Sequence, residues 1–183
     1  MRRVSSLVLT LCQTALFAGC ANSSDSPTAP TAAASSPSLD RLGTVTIAGG
    51  CETSYELRNL QFQPPPNDAD LAHADYSDGG ACQLSHLGAA TLVNSGSIDF
   101  TIVPAHGSGT FTLTAANGDR LEGTEETEYL PPDENGHFGF TGVRVVTGGT
   151  GRFAGAHGTL TTSGTGSTDE STTQQFHTGQ IGF

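Results

Sequence analysis

The densest group of chemistry-bearing residues in this chain is a set of four glutamates, Glu122, Glu125, Glu126 and Glu128. Neighbouring carboxylates perform acid–base work when one of them is desolvated. Successive side chains of a strand point to opposite faces, so Glu122, Glu126 and Glu128 share one face. Glu125 points the other way, with Leu121 and Gly123. The three-glutamate face reads as a solvated wall, the ordinary place for exposed acids. Glu125 is different: on a face that lines a barrel it is a buried acid in need of a partner, and Arg144 can serve. His86 reads as a third polar lining residue. It falls in alternation with Leu84, Gly88, Ala90 and Leu92, where a hydrogen-bonded core histidine is the ordinary role.

Other groupings carry less. Asp68, Asp70, His73, Asp75 and Asp78 form a second acidic patch. Oxygen ligands suit Ca²⁺, but this spacing does not fit a known calcium loop, and a solvated acidic loop is the simpler reading. His86, His106, His137, His157 and His177 are dispersed, with no HExxH pair. No GxSxG elbow is present to anchor a serine-hydrolase reading. No catalytic residue, metal site or cofactor is therefore assigned. All seven basic residues are Arg, which excludes a lysine Schiff base. The net charge of -11 argues against nucleic acid and anionic headgroups as partners, since both need basic surface.

The chain opens with Arg2 and Arg3, then an apolar run from Leu7 to Leu16 interrupted by Thr10 and Gln13. A charged start, a short apolar stretch and small residues before a cut site define a secretory signal. The run is too short for a comfortable membrane span of about 20 residues. Leu16-Phe17-Ala18-Gly19-Cys20 resembles the lipobox of bacterial lipoproteins. That resemblance implies cleavage before Cys20, acylation of its sulfur and anchoring in the cell envelope. Each buried acyl methylene contributes about 0.8 kcal/mol to such an anchor. Ala21 stands where Asp marks inner-membrane retention in Gram-negative members, so the resemblance leans towards the outer membrane. A cleaved signal without lipid and an uncleaved anchor are the competing readings. Ser, Thr, Ala, Pro and Asn dominate from Ala21 to about Ser38. Such a stretch buries too little apolar surface to offset backbone ordering and reads as a flexible tether. The expected organisation is thus a signal over 1–19, an acylated cysteine and linker over 20–41, and one domain over 42–183.

Cys12 leaves with such a signal and Cys20 carries lipid, which leaves Cys51 and Cys82 as an even pair in an oxidising compartment. A disulfide between them is expected, with two free buried thiols as the alternative.

The domain reads as β throughout. Thr44–Ile47 is a first strand, Tyr55–Phe62 a second candidate ended by Pro64, and Asn67–Gly80 an acidic loop. Beyond Cys82 the alternation is regular: Ile98, Phe100 and Ile102 against Ser97, Asp99 and Thr101, then Phe111, Leu113 and Ala115 against Thr110, Thr112 and Thr114. Asn117-Gly118-Asp119 supplies a tight turn because Asn and Gly tolerate positive φ. Arg120–Thr127, Phe138–Thr147, Phe153–Ser163 and Thr173–Phe183 follow as strands. Seven or eight strands with short turns and no helical stripe predict a closed antiparallel barrel or a sandwich.

Two segments extend this expectation. Ala116-Asn117-Gly118-Asp119-Arg120-Leu121-Glu122-Gly123 resembles the hairpin of bacterial allene-oxide-cyclase-like proteins, and Thr147-Gly148-Gly149-Thr150-Gly151-Arg152-Phe153-Ala154-Gly155-Ala156-His157-Gly158 resembles their GGTGRF-x-GA-x-G segment, with a similar GGTGRF stretch in plant dirigent proteins. The resemblance covers roughly Leu84 to Phe183 and implies an eight-stranded, calycin-like antiparallel β-barrel. It implies function poorly, since the plant members are a cyclase and stereochemistry-directing proteins. None of the cyclase's pocket residues is carried over. The same glycine run is similar to the nucleotide-binding turn of short-chain dehydrogenases. Yet only 32 residues follow Gly151, and they are Thr- and Gly-rich strand material. Glycines at a tight corner, Phe153 in the core and Arg152 on a carbonyl or an acid are preferred.

The functional expectation is a non-catalytic envelope lipoprotein whose barrel binds a small apolar ligand or a partner protein. The alternatives are a cyclase or isomerase acting on a hydrophobic substrate inside the barrel, and a purely structural surface protein. Oligomeric state is not legible.

Overall fold

The computed structural model describes residues 43–64 and 70–183. The signal segment, Cys12, Cys20 and the linker lie outside the described residues, as does Asp68. Eight strands run in simple order: β1 (Val45–Phe62), β2 (Leu71–Leu84), β3 (Gly88–Asp99), β4 (Ala105–Ala115), β5 (Arg120–Tyr129), β6 (His137–Gly149), β7 (His157–Ser167) and β8 (Thr172–Gly182). Each pairs antiparallel with the next, and β8 returns to β1, closing the barrel. Closure leaves no unpaired edge, which removes the aggregation hazard of an open sheet. The all-β, eight-stranded antiparallel barrel expected from the sequence is the fold of this protein.

Strict alternation builds the wall. In β5, Leu121, Gly123, Glu125 and Thr127 face inward and are buried, while Arg120, Glu122, Thr124, Glu126 and Glu128 face out. Two segments depart from the sequence expectation. Thr44–Ile47 and Tyr55–Phe62 belong to one long strand that continues through Gly49, Gly50 and Cys51. The stretch expected as a loop from Asn67 to Gly80 is strand from Leu71 onward. Its inward residues are Ala72, Ala74, Tyr76 and Asp78, small or polar side chains that give little hydrophobic contrast against the outward His73 and Asp75.

The two ends of the barrel differ. The base carries the β2–β3 and β4–β5 turns and the β6–β7 connection. Here Ile47, Leu92, Leu113, Leu121, Leu160 and Ile181 are wholly buried in a dry plug. At the glycine corner, a 3-10 turn over Gly151–Phe153 drives Phe153 into the base, where it stacks on Phe183 at 6.3 Å. Arg152 lies over the Phe153 ring and approaches Asp119 at 3.4 Å, tying this corner to the β4–β5 turn. The corner feeds no helix of the kind a dinucleotide site needs. Cys51 and Cys82 sit directly opposite each other on β1 and β2 and are joined by the expected disulfide, with a Cα–Cα distance of 4.0 Å. The other end carries the β3–β4, β5–β6 and β7–β8 connections and is open among the described residues.

Candidate functional site

Above the dry base lies a buried polar layer, and above that an apolar mouth. The layer is centred on Arg144 and Glu125, which face each other across the β5–β6 ladder. Arg144 Nε donates to Glu125 Oε2 at 2.8 Å, with both side chains almost wholly buried. The other Glu125 oxygen accepts from the Tyr76 hydroxyl at 2.5 Å. Gly109 makes room for this contact, because a Cβ there would press on the Tyr76 oxygen. The Arg144 guanidinium also donates from Nη2 to Gln175 Oε1 at 3.2 Å and meets the His177 ring at 3.0 Å. Its carbon lies 5.3 Å above the centre of the Phe111 ring, a cation–π contact. Gly123, opposite Phe111, leaves the space that ring occupies. A buried guanidinium is tolerable only when paired and hydrogen-bonded, and this one is both.

The electrostatics follow from burial. Burial, and then the Arg144 charge, hold the His177 imidazole at about 3, so it is neutral at physiological pH. Its Nδ1 also meets the Thr162 hydroxyl at 3.0 Å. Burial, the Glu125 charge and the hydrogen bond to it push the Tyr76 phenol far above its ordinary range. Asp78 completes the layer. Its Oδ2 accepts from Gln175 Nε2 at 2.8 Å and lies 3.5 Å from the Thr53 hydroxyl. Burial, and next the Glu125 charge, raise its carboxyl to about 6.

This layer is the floor of a cavity of about 350 Å³ that opens at the mouth. The upper wall is aromatic: Phe138 packs against Tyr55, Tyr129 and Phe140 at ring separations of 6.1, 6.3 and 6.3 Å. Ile98, Phe100 and Leu57 complete it. Burial of the Tyr129 phenol raises it above its ordinary range, so the wall carries no charge. The rim is apolar as well: Ile102, Val103 and Leu130 line the mouth and are exposed. Small-molecule sites have this form, a mostly apolar concavity with a few placed polar groups.

Of the three polar lining residues expected from the sequence, Glu125 and Arg144 are where they were expected and are partners. His86 is not. It sits exposed in the three-residue β2–β3 turn with φ 62°, far from the polar layer at the opposite end of β3 from the mouth. The alternation through Leu84 and Gly88 suggested one strand, but the chain reverses between them, and Leu87 rather than His86 turns into the core. The acidic patch also divides. His73 and Asp75 face outward, where Asp75 accepts from Asn59 at 2.6 Å, while Asp78 faces the cavity. Tyr76, Asn94, Gln175 and His177 carry the floor without having been singled out. The available signal was alternation in β8, where Thr173, Gln175, His177, Gly179 and Ile181 share the inner face.

The class defined by this fold and site is a closed antiparallel eight-stranded barrel, packed at one end and hollow at the other. Comparison of the chain with protein-family models, with curated proteins and with solved structures yields no match in any of the three.

Proposed function

We propose that this protein is an envelope lipoprotein whose barrel is a non-catalytic receptacle for a small, largely apolar ligand. The observation that carries the binding part is the cavity: about 350 Å³, open at one end, walled by aromatic and aliphatic side chains above a single polar layer. Eight-stranded barrels have interiors of the size that holds one small ligand, and a volume near 300 Å³ or above is typical of ligand sites. The fixed hydrogen bonds of the floor support binding over chemistry. Both Glu125 oxygens are engaged by Tyr76 and Arg144, and the Arg144 nitrogens are held by Glu125, His177 and Gln175. The anchoring part rests on the lipobox-like segment ending at Cys20.

Native mass spectrometry of the protein purified from its own host tests the receptacle. A co-purifying small molecule, retained in the gas phase and lost on denaturation, is the expected result; repeated recovery of the bare chain under gentle conditions would overturn it. Membrane fractionation of Cys20→Ser tests the anchor, with release to the soluble fraction expected and unchanged partitioning counting against it.

A second reading, a cyclase or isomerase working on a hydrophobic substrate in the same cavity, is favoured by one observation. Asp78 lines the cavity and has a carboxyl raised to about 6, the profile of a general base. Recovery of a bound molecule chemically unchanged after prolonged incubation separates the two readings in favour of binding.

A further inference from the structure

Two oxygens at the cavity floor lack partners. Asp78 Oδ1 and Asn94 Oδ1 are buried and accept no hydrogen bond. Their residues are directly opposed on β2 and β3, so both side chains stand on the same inner face. Both line the cavity. Asn94 is only 2% exposed. An unsatisfied buried acceptor is destabilising, more so when charged, and such groups in a folded protein call for an explanation. A half-turn of the Asn94 amide would let its nitrogen serve Asp78 and would leave the amide oxygen wanting a donor instead.

The charge of the layer indicates what kind of donor fits. Asp78 and Glu125 are the acids, Arg144 is the cation, and His177 is held neutral. Arg144 is already committed to Glu125. An ionised Asp78 is therefore the unmatched charge of the floor. The groups facing it are Thr53 from β1, Asn94 from β3, Glu125 and Tyr129 from β5, Arg144 from β6 and Gln175 from β8, with Tyr76 on its own strand. A head that is cationic and carries several N–H donors satisfies both the oxygens and the charge. An ammonium has three donors and no acceptor. The wall above offers only apolar and aromatic surface, which suits the body of the same molecule and, through its ring faces, a passing cation.

We propose that the cavity takes an amphiphilic amine, its apolar body held between the aromatic walls and its ammonium head hydrogen-bonded to the side-chain oxygens of Asp78 and Asn94. This rests on the receptacle reading above and specifies its ligand class. The carboxyl proton of Asp78 and the ligand head compete for the same oxygen. Amine affinity should therefore fall as pH drops through about 6.

Calorimetric titration of the purified protein with octylamine, octanol and octanoate tests it, since the three share one body and differ in the head. Octylamine should bind at least tenfold more tightly than octanol, with octanoate weakest. Asp78→Asn sharpens the test. Position Oδ2 must still accept from Gln175, so the new amide turns its NH₂ towards the cavity. The amine preference should vanish in this variant, and octanol should bind as well as octylamine or better. A melting curve confirms that the variant is folded; should it not be, the loss of amine affinity between pH 7 and pH 5 in the unaltered protein gives the same information. Equal binding of octanol and octylamine, or preference for octanoate, overturns the ammonium head while leaving the receptacle intact. Absence of binding by all three overturns both.

Discussion

Glu125 and Arg144 occupy directly opposed positions on β5 and β6 and form a 2.8 Å ion pair sealed inside the barrel. Pairs of this kind stabilise little in net terms, because desolvation offsets most of the attraction. Their value here is positional. The pair fixes the Tyr76 hydroxyl, the Gln175 amide and the His177 ring, and so sets the level at which the dry base gives way to the cavity.

The asymmetry between removing one partner and removing both is the first prediction. Arg144→Met leaves the Glu125 carboxylate buried without its counter-ion and should cost about 3–5 kcal/mol. Adding Glu125→Leu to that variant should recover most of the loss, because a buried charge is then replaced by apolar volume. Urea unfolding of both single variants and the double variant forms the cycle. Equal, additive losses from the two single changes would show that the pair is not coupled.

The disulfide predicts a loss of stability without a loss of fold. Cys51 and Cys82 are 31 residues apart, and the chain-entropy model gives roughly 3.5–4 kcal/mol for a loop of that length. The double replacement Cys51→Ala/Cys82→Ala should lower unfolding free energy by up to that amount. The β1–β2 ladder and barrel closure do not depend on the crosslink, since both strands are also paired on their other sides, so the far-ultraviolet spectrum should persist. A spectrum of an unfolded chain would mean that the crosslink, not closure, holds the barrel.

What the sequence disclosed follows from hydrophobic contrast. In β4 the inner Phe111, Leu113 and Ala115 alternate with threonines, and in β5 the same periodicity sends Glu125 inward beside Leu121; both were legible. In β2 the inner face holds Ala72, Ala74, Tyr76 and Asp78, and in β8 it holds Thr173, Gln175 and His177. A cavity floor needs polar residues where a packed core needs apolar ones, so the pattern fades at the very level where the site lies. Asp78 and Asn94 are neighbours only through β2–β3 register, a relationship with no local signature. His86 was misplaced for the converse reason: alternation continued across a turn that sequence spacing alone does not reveal.

That turn gives a further expectation. His86 is exposed and holds φ 62°, a left-handed conformation that non-glycine residues adopt at a cost. His86→Gly should change stability by no more than about 0.5 kcal/mol, because relief of backbone strain opposes the greater entropy of the unfolded chain. Loss of several kcal/mol on thermal or urea unfolding would restore His86 to a structural role in the core.

Two buried groups give the protein opposing responses to acid. The folded chain holds His177 at about 3, whereas the unfolded chain protonates it near 6.5. As pH falls between these values the unfolded state alone takes up this proton, and stability declines by about 1.4 kcal/mol per pH unit for one such group. Asp78 acts in the other direction. Its carboxyl is raised from 3.8 to about 6 in the folded chain, so between those values the native state takes up the proton first and gains stability as pH falls. The two slopes oppose each other from about pH 6 down to about pH 4, and below that His177 acts alone. Wild-type stability should therefore change little from this pair across that window and then fall. Asp78→Asn removes the compensation and should start the decline roughly two pH units higher. His177→Gln keeps only the Asp78 response and should gain stability, relative to wild type, as pH drops through the window. Urea midpoints at matched pH values, read as differences from wild type, cancel the contribution of the exposed carboxylates. An Asp78→Asn curve parallel to wild type between pH 6 and pH 4 would show that this carboxyl does not take up a proton ahead of the unfolded chain, and the competition between proton and ligand head at the cavity floor would lose its basis.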